Sequence, residues 1–123
     1  MIGYVTLGTN DIKKSAAFYD EVLAILDAKR VWDEDRFINW GNGKGSPLFS
    51  VIKPYDGEAA TSGNGTMVAL AAGSEEKVNA MYQKALELGA SDEGEPGKRT
   101  DNFYGAYFRD FDGNKICVFC MVK

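Results

Sequence analysis

Two stretches of this chain begin alike and continue alike. Tyr4-Val5-Thr6-Leu7 opens the first and Met67-Val68-Ala69-Leu70 the second, and at the same offset Phe18-Tyr19 with Leu23 matches Met81-Tyr82 with Leu86. Each opening is an apolar run of the kind that forms a strand. Each is followed by apolar residues at helical spacing: Ile12, Ala16, Tyr19, Val22 or Leu23, and Leu26 in the first, then Val78, Met81 or Tyr82, Ala85 and Leu88 in the second. Asn10 or Asp11 and, later, Ser74 supply side-chain oxygens for the free amides of a first helical turn. Glu75 and Glu76 suit the positive end of the second helix, and Gly89 is placed to close it in the left-handed conformation. The first helix should fade near Asp27.

Three strands should follow the first helix: Lys29 to Asp33, Phe37 to Trp40 and Pro47 to Lys53. Pro54 to Gly65 is polar, small and glycine-bearing, a connector. After the second helix come a short strand at Ser91 to Glu93, a loop from Gly94 to Arg99, and a hairpin. Its strands are Phe103 to Phe108 and Ile116 to Cys120, turning at Asp110-Phe111-Asp112-Gly113-Asn114. A strand–helix–strand–strand–strand unit thus occurs twice, and one such unit cannot cover both faces of its sheet. The expected fold is a single α+β domain, residues 1–123. Its two βαβββ modules (1–55 and 66–123) form curled mixed sheets around a shared cleft.

The total that narrows function most is a zero: the chain has no histidine. That removes Ser-His-Asp and Cys-His pairs, histidine metal sites and the commonest general base near neutral pH. A net charge of −4 without a basic run argues against a nucleic-acid partner. No apolar run is of membrane-spanning length and the start lacks a secretory pattern, so a cytoplasmic setting is expected. Cys117-Val118-Phe119-Cys120 has C-x-x-C spacing, but residues three apart on a strand face opposite ways, so two buried reduced thiols are expected. Gly41 to Ser46 looks like a phosphate cradle, yet a strand follows it instead of a helix N-terminus, and it reads as a hairpin loop. Trp32, Phe37, Trp40, Tyr104 and Tyr107 make the strands unusually aromatic, suited to core, dimer contacts or a wall for a planar ligand.

The hairpin with its Asp-Phe-Asp-Gly-Asn turn, Leu7 to Asp11 running into Phe18-Tyr19, and the Met67 to Ala72 strand together resemble the vicinal oxygen chelate superfamily. That superfamily comprises glyoxalases, bleomycin-resistance proteins and extradiol dioxygenases. The resemblance runs over the whole chain and implies the paired βαβββ fold; the pattern is close to that of single-domain glyoxalase-like bacterial proteins. Metal-dependent relatives carry a ligand on the first and last strand of each module. Those positions fall here on Tyr4, on Ser50 or Phe49, on Met67, and on Cys117, where the hairpin's glutamate would stand; Phe111 replaces the turn's usual proline. A phenol, a hydroxyl, a thioether and a thiol are not the donors a divalent ion takes at neutral pH, so neither metal nor other cofactor is expected. Met67 and Cys117 alone make a poor copper(I) site. Arg99 lies on the loop that borders the pocket mouth in similar proteins and could pair with a ligand carboxylate or phosphate. Tyr4, Ser50, Met67, Arg99, Tyr104 and Cys117 are therefore the candidate cleft residues, with no catalytic residue assigned. The implied function is metal-independent binding of a small molecule in an aromatic-lined cleft. The alternatives are a glyoxalase- or dioxygenase-like lyase or oxidoreductase with a non-standard site, and an interaction protein with a vestigial cleft. A homodimer is expected, because curled sheets leave an apolar face to cover.

Overall fold

The computed structural model describes residues 1–122 and divides into two compact units, Met1–Ser62 and the residues from Gly63 onward. In the first unit, β1 (Tyr4–Gly8) leads to α1 (Ile12–Ala24), then β2 (Lys29–Asp33), β3 (Phe37–Gly41) and β4 (Leu48–Ile52). In the second, β5 (Val68–Ala71) leads to α2 (Glu75–Glu87), then β6 (Ser91–Thr100), β7 (Phe103–Arg109) and β8 (Lys115–Met121). The sheets have matching orders, β1-β4-β3-β2 and β5-β8-β7-β6. In each, the first strand pairs in parallel with the last, and the remaining pairs are antiparallel. The α+β architecture of two βαβββ units is the expected one.

Both helices begin and end for local reasons. Asp11 accepts a hydrogen bond from the Lys14 amide at 3.1 Å, and Ser74 does the same for Lys77 at 3.2 Å. Beyond α2, Ala90 N–H donates to the Ala85 carbonyl and Gly89 N–H to that of Leu86, with Gly89 at φ 109°. Beyond α1 the same pair of bonds runs from Ala28 to Leu23 and from Asp27 to Ala24, and the left-handed residue is Asp27 at φ 59°.

Each helix covers one face of its own sheet. Tyr19 of α1 packs its ring 4.6 Å from that of Phe49 and 5.9 Å from that of Trp40. Leu7, Ile38 and Val51 share that face and are buried. Trp40 is therefore core, not ligand wall; its indole donates to Asp20 of α1 at 2.9 Å. In the second unit Val78, Met81 and Ala85 of α2 are buried, as are Ala106, Phe108, Ile116 and Val118 of the sheet.

Two elements depart from the sequence reading. β6 continues through Gly94 to Thr100, where a loop was expected. Its glycines and Pro96 are tolerated because β6 is an edge strand whose pairing with β7 slips at three places. Met67 lies just outside β5, which begins at Val68.

Candidate functional site

Strand alternation places every other residue on the face turned away from the unit's own helix. On the first sheet that helix-free face carries Tyr4, Thr6, Leu48, Ser50, Ile52, Phe37 and Asn39. The register aligns Thr6 with Ser50 and Ser50 with Asn39, so three polar side chains form a row across β1, β4 and β3. A slip in the β2–β3 register between Arg30 and Trp32 brings Trp32 opposite Asn39, whose side-chain carbonyl accepts the Trp32 amide at 2.9 Å. Trp32 then meets Phe37 edge to face, ring centroids 6.3 Å apart. A cavity of about 430 Å³ lies over this row, walled by Tyr4, Trp32, Phe37, Leu48 and Ile52 with Arg36 at its rim. The Arg36 guanidinium sits 5.1 Å from the ring of Tyr55.

Ser50 is the chemically exceptional member. It is 1% exposed, and its hydroxyl has no hydrogen-bond partner among the described residues. A buried hydroxyl left unsatisfied costs about 1–3 kcal/mol. Asn39 is buried too, and its carbonyl is already committed to Trp32. Tyr4, by contrast, is 67% exposed, so its phenol reaches solvent and the unsatisfied hydroxyl belongs to Ser50.

On the second sheet the equivalent row is Ala69, Cys117 and Tyr107, aligned by the β5–β8 and β8–β7 registers. Tyr107 stands opposite Cys117 in the register, and each acts on the other's ionisation. Burial pushes the Cys117 thiol up from its ordinary value, against the opposing pull of Tyr107, Arg99 and Lys115, so at neutral pH it is a protonated thiol. Burial likewise raises Tyr107. Cys120 lies on the helix side, and both cysteines are free thiols, as the alternation requires.

Tyr104 leaves the candidate set. It pairs with Cys120, on the opposite face from Cys117, and its hydroxyl donates to Asn79 of α2 at 2.7 Å. Thr6, Asn39 and Arg36 escaped the sequence reading. Thr6 and Asn39 could have been found from the register of Ser50; Arg36, in the turn before β3, had no signal. Met67 is partly exposed, and Arg99 is an exposed residue of β6.

A divalent ion of the kind the resemblance implies needs nitrogen or carboxylate donors. Tyr4 offers a phenol, Ser50 a hydroxyl, Met67 a thioether and Cys117 a thiol held in its neutral form. Among the described residues no group of three or more His, Cys, Asp or Glu is gathered to hold a metal. The residues present do not fit such an ion.

Residues 1–118 match the family model of the Glyoxalase/Bleomycin resistance protein/Dioxygenase superfamily. Among solved structures, the chain is similar to a glyoxalase/bleomycin resistance protein from Albidiferax ferrireducens T118, with 34% identity, 98% of each chain covered and a TM-score of 0.89. A superfamily enzyme from Burkholderia phytofirmans PsJN shares the fold at 19% identity, 98% coverage of each chain and a TM-score of 0.79. A lactoylglutathione lyase from Agrobacterium tumefaciens shares it at 16% identity, covering 98% of this chain and 92% of that one, with a TM-score of 0.71. No curated protein is a significant match. Among the described residues no helix is long and apolar enough to cross a membrane.

Proposed function

Because the chain belongs to the Glyoxalase/Bleomycin resistance protein/Dioxygenase superfamily, we propose that it binds a small molecule, without a metal, on the helix-free face of its first sheet. The observation that carries this reading is the Ser50 hydroxyl, buried without a partner beneath a cavity of about 430 Å³. Sites for small ligands are typically apolar clefts of roughly 300–1,000 Å³ with a few placed polar groups. Here Trp32, Phe37 and Tyr4 supply flat apolar walls and Ser50 a donor at the floor, flanked by Thr6 and Asn39. A ligand with a planar apolar body and one hydrogen-bond acceptor is complementary to that arrangement. Met67, Arg99 and Cys117 are the remaining candidates on the second unit. A cytoplasmic homodimer accompanies the reading: two buried free thiols suit a reducing compartment, and exposed Ile2, Val31 and Trp32 offer apolar surface to a second copy.

A thermal-shift screen of aromatic, carboxylated and cationic metabolites tests this. A ligand at a hundred times its Kd stabilises the folded state by about 2.7 kcal/mol. Hits should vanish in Trp32→Ala and weaken in Ser50→Ala, with both variants still folded by circular dichroism. Absence of any shift across the screen, or hits indifferent to both variants, would remove this face as the site.

A further inference from the structure

The second unit carries a guanidinium that the chain has gone to some length to hold still. Arg99 on β6 donates from one terminal nitrogen to the Gly97 carbonyl at 2.9 Å and from the other to the Glu95 carbonyl at 2.6 Å. Its carbon lies 5.3 Å from the centre of the Tyr107 ring. The side chain thus folds back along its own strand, over positions where neighbouring side chains would ordinarily project. Those positions are Gly94 and Gly97. A Cβ at Gly94 would stand 3.1 Å from one guanidinium nitrogen and 3.0 Å from the Tyr107 ring, and a Cβ at Gly97 would stand 3.2 Å from the other nitrogen. Neither glycine has a positive φ. Their missing side chains, not their backbone freedom, are what the structure uses.

Lys115 brings a second cation, its ammonium 5.5 Å from the same ring centre. Arg109, the register partner of Lys115, is charge-paired with Glu93 at 2.7 Å. Among the described residues, neither Arg99 nor Lys115 has a carboxylate within ion-pair distance. Both cations lie against the Tyr107 ring, opposite the buried Cys117 thiol, which places the two positive charges around one point of the sheet. A guanidinium has five N–H donors, and two of Arg99's are spent on backbone carbonyls, leaving three.

We propose that Arg99 and Lys115, seated around Tyr107 on the helix-free face of the second sheet, form a binding site for an oxyanion group of a small molecule, a carboxylate or a phosphate. A cation already fixed in place by carbonyls and a ring face loses little side-chain freedom when an anion arrives, which is where such sites gain affinity. The site lies wholly in the second unit and stands whether or not the first unit's cavity is a ligand site.

The test is titration of the whole protein at low salt with benzoate and, separately, with inorganic phosphate. It is followed by the amide NMR shifts of Gly94, Gly97 and Tyr107. Saturable shifts at these amides are expected, and the tighter of the two probes names the oxyanion carried by the ligand. Arg99→Gln should weaken binding about tenfold, the effect of losing one charge-assisted contact. Lys115→Gln should weaken it less, since an ammonium on a flexible stem is not held. Gly97→Ala keeps every charge but crowds the guanidinium, and should also weaken binding. Lys98→Gln removes the same unit of charge from the neighbouring position, whose register partner Tyr104 faces α2, and should leave affinity unchanged. Equal losses in Lys98→Gln and Arg99→Gln would show diffuse attraction and overturn the site. So would the absence of shifts at the three amides, or an Arg99→Gln variant that folds and binds as before.

Discussion

The central rows of the two sheets occupy the same register and are chemically opposed. Thr6–Ser50–Asn39 places a buried hydroxyl without a partner among the described residues in the middle of the first; Ala69–Cys117–Tyr107 places a buried thiol opposite a tyrosine in the middle of the second. The difference begins one strand further out. On the first sheet the Asn39 carbonyl is turned to the Trp32 amide at the β2 irregularity. On the second, the Tyr107 ring is engaged by Arg99 and Lys115. One duplicated frame thus carries a face that retains unmet hydrogen-bonding capacity and a face that retains unmet positive charge.

Truncation at the two central positions should therefore have opposite signs. Cys117→Ala removes a fully buried side chain from the middle of the sheet, and should cost about 2 kcal/mol. Ser50→Ala removes a buried group that has no partner among the described residues, and should be neutral or stabilising by up to about 1 kcal/mol. Urea unfolding of both variants, unligated, checks this. A loss in Ser50→Ala as large as that in Cys117→Ala would mean the hydroxyl is satisfied after all.

Much of the frame was legible in the sequence because periodicity and capping are local. The duplicated strand–helix openings, the Asp11 and Ser74 caps, Gly89 and the opposite-facing cysteines all follow from spacing along a single segment. The site was legible only in part. Ser50 and Cys117 emerged from the family pattern, but which of them lacks a partner depends on the register between strands. Tyr104 belongs to an aromatic strand and so reads as a cleft wall; one residue of phase sends it to Asn79 instead. The role of Gly94 and Gly97 is invisible in sequence, where glycines between a strand and a charged pair read as a loop. Their function is to leave room, and room is a property of three dimensions.

The two units should also fail at opposite ends of the pH scale. In the first, burial raises the Asp20 carboxyl, but the hydrogen bonds from Arg30 and Trp40 prevail and hold it below its ordinary value. Its contribution is present above about pH 4 and is lost as the pH falls through the depressed folded-state value. In the second, burial raises both Cys117 and Cys120, and burial with the Asp92 hydrogen bond pushes Tyr82 up to about 12. Above pH 9 the unfolded thiols ionise while the folded ones do not, so stability falls by at most about 1.4 kcal/mol per pH unit for each thiol. Trp32 and Trp40 are the chain's two tryptophans and both lie in the first unit, so their fluorescence reports that unit alone. It should change first in acid and be abolished as an acid marker in Asp20→Asn. Amide exchange across β8 should accelerate first in alkali, and less so in Cys117→Ala. Simultaneous change of both signals at each end would show that the two sheets do not differ in this way.

The smallest difference lies at the helix ends. Both helices close with the same two backbone hydrogen bonds, yet the left-handed position holds Gly89 in one and Asp27 in the other. An L-residue with a Cβ meets the following carbonyl in that conformation, at a cost of roughly 1–2 kcal/mol that aspartate partly offsets through its short polar side chain. Asp27→Gly removes the clash but gives the unfolded chain more freedom, so the net gain should be about 0.5 kcal/mol. The reverse exchange is not available to the second unit, because a Cβ on Gly89 would stand 3.1 Å from the Phe111 ring. Urea denaturation followed by tryptophan fluorescence should show a small upward shift of the midpoint with an unchanged slope. A downward shift would mean that the Asp27 carboxylate stabilises its turn by more than the strain it carries.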